Sequence, residues 1–299
     1  YGHNYPTYLW LIKTDINGDL LWQRTIGDGF HSDVFLDMAK DQSGNILLAG
    51  LASESDPQGD PLIIKINPCG EKEWCRIFYT ENNTDFSRCI TVTPSGESVV
   101  ILNLTNPDHH IERICLAKLS TDGVLLWKQC YTSADTSQRG EDTYDLIVTP
   151  DLGFLVTGFC YYEDPEVPNK WWLHPYFLKV DSSGNFEWET VLYKETSTNG
   201  GIANNTVISP NGQFFYSSIS HYNNTNNFAS PALAKLDMQG NVIGVYDVVT
   251  GYYEGKLSYA QFLNDSTLAA DAAWGNSADD LWSHAVIIDT LGNLLNSTV

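Results

Sequence analysis

A unit of roughly 55 residues repeats along this chain, and that period limits the possible folds more than any other feature of the sequence. One member reads LWLIKTDINGDLLWQRTIG (9–27) and recurs as LIIKINPCGEKEWCRIF (62–78), CLAKLSTDGVLLWKQCY (115–131) and FLKVDSSGNFEWETVLY (177–193). Weaker copies are ALAKLDMQGNVIGVYDV (232–248) and VIIDTLGNLLNSTV (286–299). Their turn glycines, Gly18, Gly70, Gly123, Gly184, Gly240 and Gly292, are spaced by 52, 53, 61, 56 and 52 residues. A second member alternates with the first: DVFLDMAKDQSGNILLAG (33–50), DFSRCITVTPSGESVVIL (85–102) and DTYDLIVTPDLGFLVTG (142–158). Looser copies are IANNTVISPNGQFFYSS (202–218) and KLSYAQFLNDSTLAADA (256–272).

Each member is an alternating apolar run, a short turn and another alternating run, which is the pattern of a β-hairpin. Phrases such as NPCG, TPSG and SPNG suit type I turns followed by a glycine at positive φ. Two hairpins make a four-stranded antiparallel blade, with strands A and B from the Asp-led hairpin and C and D from the Lys/Trp-led one. The expected fold is therefore all-β, a single β-propeller over residues 1–299. It comprises a half blade (1–27) and five blades at about 33–79, 85–131, 142–193, 202–248 and 256–299. That is 22 strands, read as six blades with the first incomplete, its A and B strands lying outside the sequence or replaced by other residues.

Residues that recur once per blade are expected to be structural. Lys13, Lys65, Lys118, Lys179 and Lys235 repeat on strand C, and Trp22, Trp74, Trp127 and Trp188 on strand D. The indoles are expected to pack between blades, with the lysine stems lying along the same surface. Asp33, Asp85 and Asp142 open strand A, where they either ring a channel mouth or cap the incoming loop through its backbone amides. The alternation of D-x-W/F-x-x-K-x-D-x-x-G-x-x-x-W with D-x-x-x-x-x-x-T-x-D-G-G-x-x-x-x-G resembles the propeller repeats of large secreted Bacteroidota proteins. The resemblance is strongest in the first four repeats, and Gly244 and Asn296 replace the tryptophan in the last two. It implies a propeller, an extracytoplasmic address and export by type 9 secretion. It implies no activity.

Charge narrows the function classes. The 37 acids against 16 bases leave a net of −21, which repels nucleic acid and anionic membrane surfaces. No apolar run approaches a membrane span, so no membrane insertion is expected. Beginning at Tyr1 without a signal pattern, the chain reads as a mature or trimmed one, part of a larger chain or complex. None of the six cysteines forms a C-x-x-C pair, against a zinc ribbon or a thioredoxin-like site. Cys115 and Cys130 flank a predicted hairpin and could face each other as a disulfide, but a one-residue bulge is expected to separate them, which disfavours the bond. Six Asn-x-Ser/Thr sequons occur, a number that an Asn-rich chain reaches by chance.

In such a blade the A–B and C–D turns share one face, and the B–C and D–A connections share the other. Here the first set is tight and the second elaborated, which is where function usually sits on a rigid scaffold. The longest elaboration is YYEDPEVPNKWWLHPY (161–176). The candidate ligand-binding residues are Tyr161, Tyr162, Trp171, Trp172, His174, Tyr252, Tyr253, Trp274 and Trp282. Aromatic platforms beside planar polar groups suit a glycan or a peptide segment; equally, these rings can fold down to cover the blade ends. The histidines here, His31, His109, His110, His174, His221 and His284, are too scattered for a transition-metal site. No cofactor is expected, with Ca2+ on Asp164, Glu166, Asp279 or Asp280 as the variant.

Three enzyme signatures fail. No G-x-S-x-G occurs, the turns are mis-spaced as sialidase Asp-boxes (STDGVLLW puts Asp122 directly before Gly123), and the arginines that grip a substrate carboxylate are few. The preferred reading is a binding or scaffold propeller at the cell surface, recognising a glycan or a protein. The alternatives are a spacer in a larger adhesin and a carbohydrate-active hydrolase or lyase.

Overall fold

The computed structural model describes residues 9–26, 33–52, 59–79, 85–105, 112–132, 138–164, 167, 170–193, 199–223, 228–252, 254–277 and 281–298. It is an all-β propeller of 22 strands, with no helix among the described residues. Two compact units divide the chain, Tyr1–Thr132 and Ser133–Val299.

The first unit opens with an antiparallel pair, β1 (Leu9–Thr14) and β2 (Leu20–Ile26). Two four-stranded sheets follow. One is β3 (Val34–Lys40), β4 (Ile46–Ala52), β5 (Asp60–Ile66) and β6 (Lys72–Ile77). The other is β7 (Phe86–Val92), β8 (Ser98–Thr105), β9 (Glu112–Leu119) and β10 (Leu125–Tyr131). The second unit holds three such sheets. Its strands are β11 (Gln138–Val148), β12 (Phe154–Glu163), β13 (Trp171–Val180) and β14 (Phe186–Val191); then β15 (Asn199–Ile208), β16 (Phe214–Asn223), β17 (Phe228–Asp237) and β18 (Val242–Asp247); then β19 (Glu254–Phe262), β20 (Thr267–Gly275), β21 (Leu281–Asp289) and β22 (Leu294–Thr298). Within every sheet the strands pair in chain order as a meander.

Turn chemistry sets the hairpins. In the β3–β4 turn the Asp41 carboxylate accepts the Asn45 amide at 2.8 Å and the Asn45 side-chain NH2 at 2.7 Å, while Gly44 at φ 83° donates its N–H to the Asp41 carbonyl. Asp181–Asn185, Asp237–Asn241 and Asp289–Asn293 repeat this device in the C–D turns. A carboxylate that gathers the amides of a tight turn replaces hydrogen bonds the strands cannot reach.

Sheet position sets burial. Second and third strands such as β4, β5, β12 and β13 are covered over most of their length, whereas the outermost β22 is exposed throughout and β21 beside it is only partly covered. Between sheets the cores are aliphatic and aromatic. Ala39, Leu47, Ala49 and Ile63 meet Ile90, Val100, Leu102 and Ala117 in the first unit; Leu155 and Phe177 meet Phe215 and Ile219 in the second. Burying a side chain of this size contributes about 1.5–3 kcal/mol.

Every first strand of a four-stranded sheet carries a β-bulge, between Phe35 and Asp37, Ser87 and Ile90, Thr143 and Asp145, Ala203 and Asn205, and Leu257 and Tyr259. The glycine ending the strand-B motif lies opposite: a Cβ on Gly50 or Gly158 would overlap the backbone of Val34 or Asp142. Cys115 and Cys130 stand directly opposite each other on β9 and β10 and form a disulfide. The bulge of that hairpin lies nearer the turn, between Leu125 and Trp127, so it leaves the pair aligned.

Candidate functional site

The residues repeated once per blade hold neighbouring sheets together within each unit. Trp22 donates its indole N–H to the Pro68 carbonyl at 2.9 Å, Trp74 to Thr121 at 2.9 Å and Trp188 to Met238 at 3.3 Å. In each case the acceptor lies in the C–D turn of the following sheet, whose glycine rests against the ring. Where Gly244 replaces the tryptophan, the Tyr246 ring lies against it, and the Cβ and backbone of Tyr246 lie against Gly292 of the following sheet. The lysines lie beside these contacts: Lys65 bonds Thr121 O and pairs with Asp41 and Glu73, and Lys118 pairs with Glu97 at 2.7 Å.

A second tie was not legible from the repeat alignment. At the strand-A bulges, Asp37 accepts the Ile90 amide at 2.8 Å, Asp145 accepts the Thr206 amide at 2.7 Å and the Asn205 side chain at 3.1 Å, and Asn205 accepts the Ala260 amide at 3.0 Å. Each bond runs from one sheet to the next. Of the strand-A openers, Asp142 accepts the Thr143 amide next to it and Asp85 is buried.

The 161–176 segment, read from sequence as a loop, lengthens β12 and β13 into a tall hairpin whose connection is 164–170. Alternation then decides where its rings go. Tyr162 and His174 are buried edge to face, 5.5 Å apart. His174 Nδ1 meets the Leu192 carbonyl at 3.1 Å, and burial pushes its pKa down against that bond's pull. Trp171 and Trp172 are half-buried. The Trp172 N–H bonds Asp164 at 2.9 Å, and the Lys170 ammonium lies 4.1 Å over its ring. Trp274 is buried, stacked on His284 at 3.7 Å, with the half-buried Tyr252 tilted against it at 6.3 Å. The rings left outward are Trp282, 55% exposed, and Tyr161, 38% exposed. Tyr253, Glu166, Asp279, Asp280, His31, His109 and His110 lie outside the described residues. Asp164 is the one calcium candidate described, and its carboxylate already faces Trp172 and Lys170. Among the described residues no three His, Cys, Asp or Glu side chains converge for a metal ion.

One cluster at these ends combines charge and strain. His221 Nδ1 meets Asp247 at 2.7 Å, and Tyr193, at φ 64°, stacks on the imidazole at 5.0 Å. Burial and the Asp247 charge push the Tyr193 hydroxyl up to about 12. His221 Nε2 and His284 Nδ1 are buried with no hydrogen-bond partner among the described residues.

The tight-turn ends, which the sequence marks as plain, hold a groove of about 590 Å³ in the second unit. It is lined by Thr149, Pro150, Asp151, Lys179, Glu187, Trp188, Gly212, Met238 and Gln239. The Lys179 ammonium is buried between Asp151 at 2.9 Å and Glu187 at 2.7 Å. Burial opposes the Asp151 charge, but bonds from Thr149, Lys179 and the Gly153 amide outweigh it and hold the carboxyl below its usual range. The sequence signal was the odd turn TPDLG. Leu152 takes the positive φ that glycine holds in other turns, and the next residue is Gly153, where a Cβ would collide with the Lys179 ammonium and the Val180 carbonyl.

No family model and no curated protein matches the chain. Solved structures do, at low identity. A protein of unknown function from Bacteroides caccae is 12% identical, with 94% of this chain and 86% of that one covered at a TM-score of 0.53. Another of unknown function, from Dyadobacter fermentans, is 12% identical, with 90% and 83% covered at 0.57. An ulvan lyase of a polysaccharide lyase family is 10% identical, with 92% and 70% covered at 0.57. At these identities the likeness is one of fold.

Proposed function

We propose that the chain is an extracellular recognition propeller that binds a surface protein or glycan through the B–C and D–A ends of its second unit. The observation that carries this reading is the pair Trp282 and Tyr161, outward-facing rings on strands whose neighbouring rings Tyr162 and Trp274 are buried, with Tyr161 braced edge-on by Phe159. Preset aromatics lose little entropy on binding and bury large area. Capture from an outer-surface extract, alongside a glycan panel, compares the wild type with Tyr161→Ala/Trp282→Ala. Loss of a captured partner in the variant supports the reading; equal and empty captures from both proteins favour a spacer, and product release from a glycan favours a carbohydrate-active enzyme.

The groove favours a second reading, a neutral hydroxyl-rich ligand. Carboxylate oxygens of Asp151 and Glu187 accept hydroxyls beside the apolar surface of Trp188 and Met238. Calorimetric titration with oligosaccharides tests it: heat lost in Glu187→Gln but kept in Tyr161→Ala/Trp282→Ala assigns the ligand to the groove.

A further inference from the structure

Among the described residues the first sheet has two strands where every other has four. Its contacts identify the pair as a C–D hairpin: Trp22 and Lys13 bond the Pro68 carbonyl as Trp74 and Lys65 bond that of Thr121. β1 pairs with β2 alone among the described strands, so its other edge is open to a further strand.

The neighbouring sheet records what is absent. Its outer half is covered: Leu48, Leu62, Ile64 and Ile66 pack with Leu9, Leu11 and Ile26 of the first sheet. Its innermost strand is bare, with Met38 63% exposed and Leu36 also exposed. The residues at the Met38 position of other strands, paired in the same way just after the bulge, are Ile90, Leu146, Thr206 and Ala260, at 4%, 5%, 1% and 0%. The covering groups are known for two of them. Ile90 packs with Ala39, Leu47 and Ala49, from strands A and B of the preceding sheet, and Ala260 packs with Val207 and Tyr216, from the same two strands of its own predecessor. Met38 therefore awaits an A–B hairpin that pairs with the open edge of β1.

We propose that β1 is an acceptor edge for strand addition. A β-hairpin of the strand A–B type, on a polypeptide segment other than the described residues, pairs with β1 and covers Met38 and Leu36, completing the first sheet. The recognition is main-chain hydrogen bonding along β1 with alternate apolar side chains facing β3. This site is separate from the ends of the second unit, so either proposal survives failure of the other.

The probe is a fluorescein-labelled synthetic peptide with the sequence of residues 142–158, titrated into the 299-residue chain and followed by anisotropy and hydrogen exchange. The expected result is saturable binding that slows exchange of the β1 amides about tenfold or more and is lost in Met38→Asp. Because Met38 is exposed, that variant keeps the fold, which its unchanged melting temperature verifies. No binding up to about 1 mM peptide, a weak limit for a strand-addition site, overturns the proposal. So does binding that leaves β1 exchange or the Met38→Asp result unchanged. A dimer in sedimentation that protects β1 without peptide also overturns it, giving the edge to a second copy.

Discussion

Leu152 carries the backbone strain of a turn position that glycine holds elsewhere. It sits at φ 64°, in the place that Gly18, Gly44, Gly70 and Gly96 take in other turns. A left-handed leucine costs about 1–2 kcal/mol, so Leu152→Gly is expected to raise stability by roughly 1 kcal/mol after the added chain entropy of glycine. The urea midpoint measures it, and an unchanged or lower midpoint would contradict the strain. The turn glycines divide by what faces them. A Cβ on Gly123 would stand 2.7 Å from the Trp74 ring, whereas one on Gly18 meets nothing within 4 Å, and both have positive φ. Gly18→Ala is expected to cost about 1 kcal/mol from backbone strain alone. Gly123→Ala adds displacement of an indole and its hydrogen bond, for about 2–4 kcal/mol in total. Equal losses in urea unfolding would show that the indole yields freely.

The sheet-to-sheet bonds belong to the strand, because the bulge aims them. Asp37→Ala leaves the Ile90 amide without its acceptor and is expected to destabilise by about 1–3 kcal/mol. Asp145→Ala, which strands two donors, is expected to exceed it, and a loss below that of Asp37→Ala would sink the assignment. The pH behaviour of Asp37 differs in sign from that of the turns. Burial raises the Asp37 carboxyl against the pull of the Ile90 and Met38 amides, so its contribution is present below the ordinary value of 3.8 and lost as pH climbs through the raised one. Glu97, held by Lys118, and Asp181 and Asp237, held by Asn185 and Asn241, are lowered, as are Asp41, Asp151 and Asp289 despite their burial. Their contribution is present above the ordinary value and lost as pH falls through lower ones. The balance predicts thermal stability that declines as pH drops below about 4; a rising melting temperature there would refute it. The strands and turns were legible because Gly18 and its counterparts recur with fixed neighbours. The bulge ties were not, since Asp37, Asp145 and Asn205 vary in type and their partners lie 53 to 61 residues away. Nor does residue type tell which of Tyr161 and Tyr162 points outward; strand parity decides it.

At the scale of the molecule, 37 acids and 16 bases set a self-repulsion that the partly buried ion pairs of Lys65, Lys118 and Lys179 do not cancel. Stability at neutral pH is therefore expected to rise between low and moderate sodium chloride, as screening relieves repulsion more than it weakens those pairs. A melting temperature that falls with salt would give the pairs the larger share. Both ties also have a direction. Asp37 precedes Ile90 and Asp145 precedes Thr206, just as Trp22 precedes Pro68 and Trp188 precedes Met238. In these bonds the earlier sheet supplies the side chain and the later one a backbone amide or carbonyl, whereas Ser87 runs the other way, its hydroxyl meeting the Gly50 and Leu62 backbone of the sheet before it. On a ribosome, each finished blade thus offers side chains that the amides and carbonyls of the blade still emerging can meet. Such a chain is suited to vectorial assembly, each tie closing as the next sheet arrives.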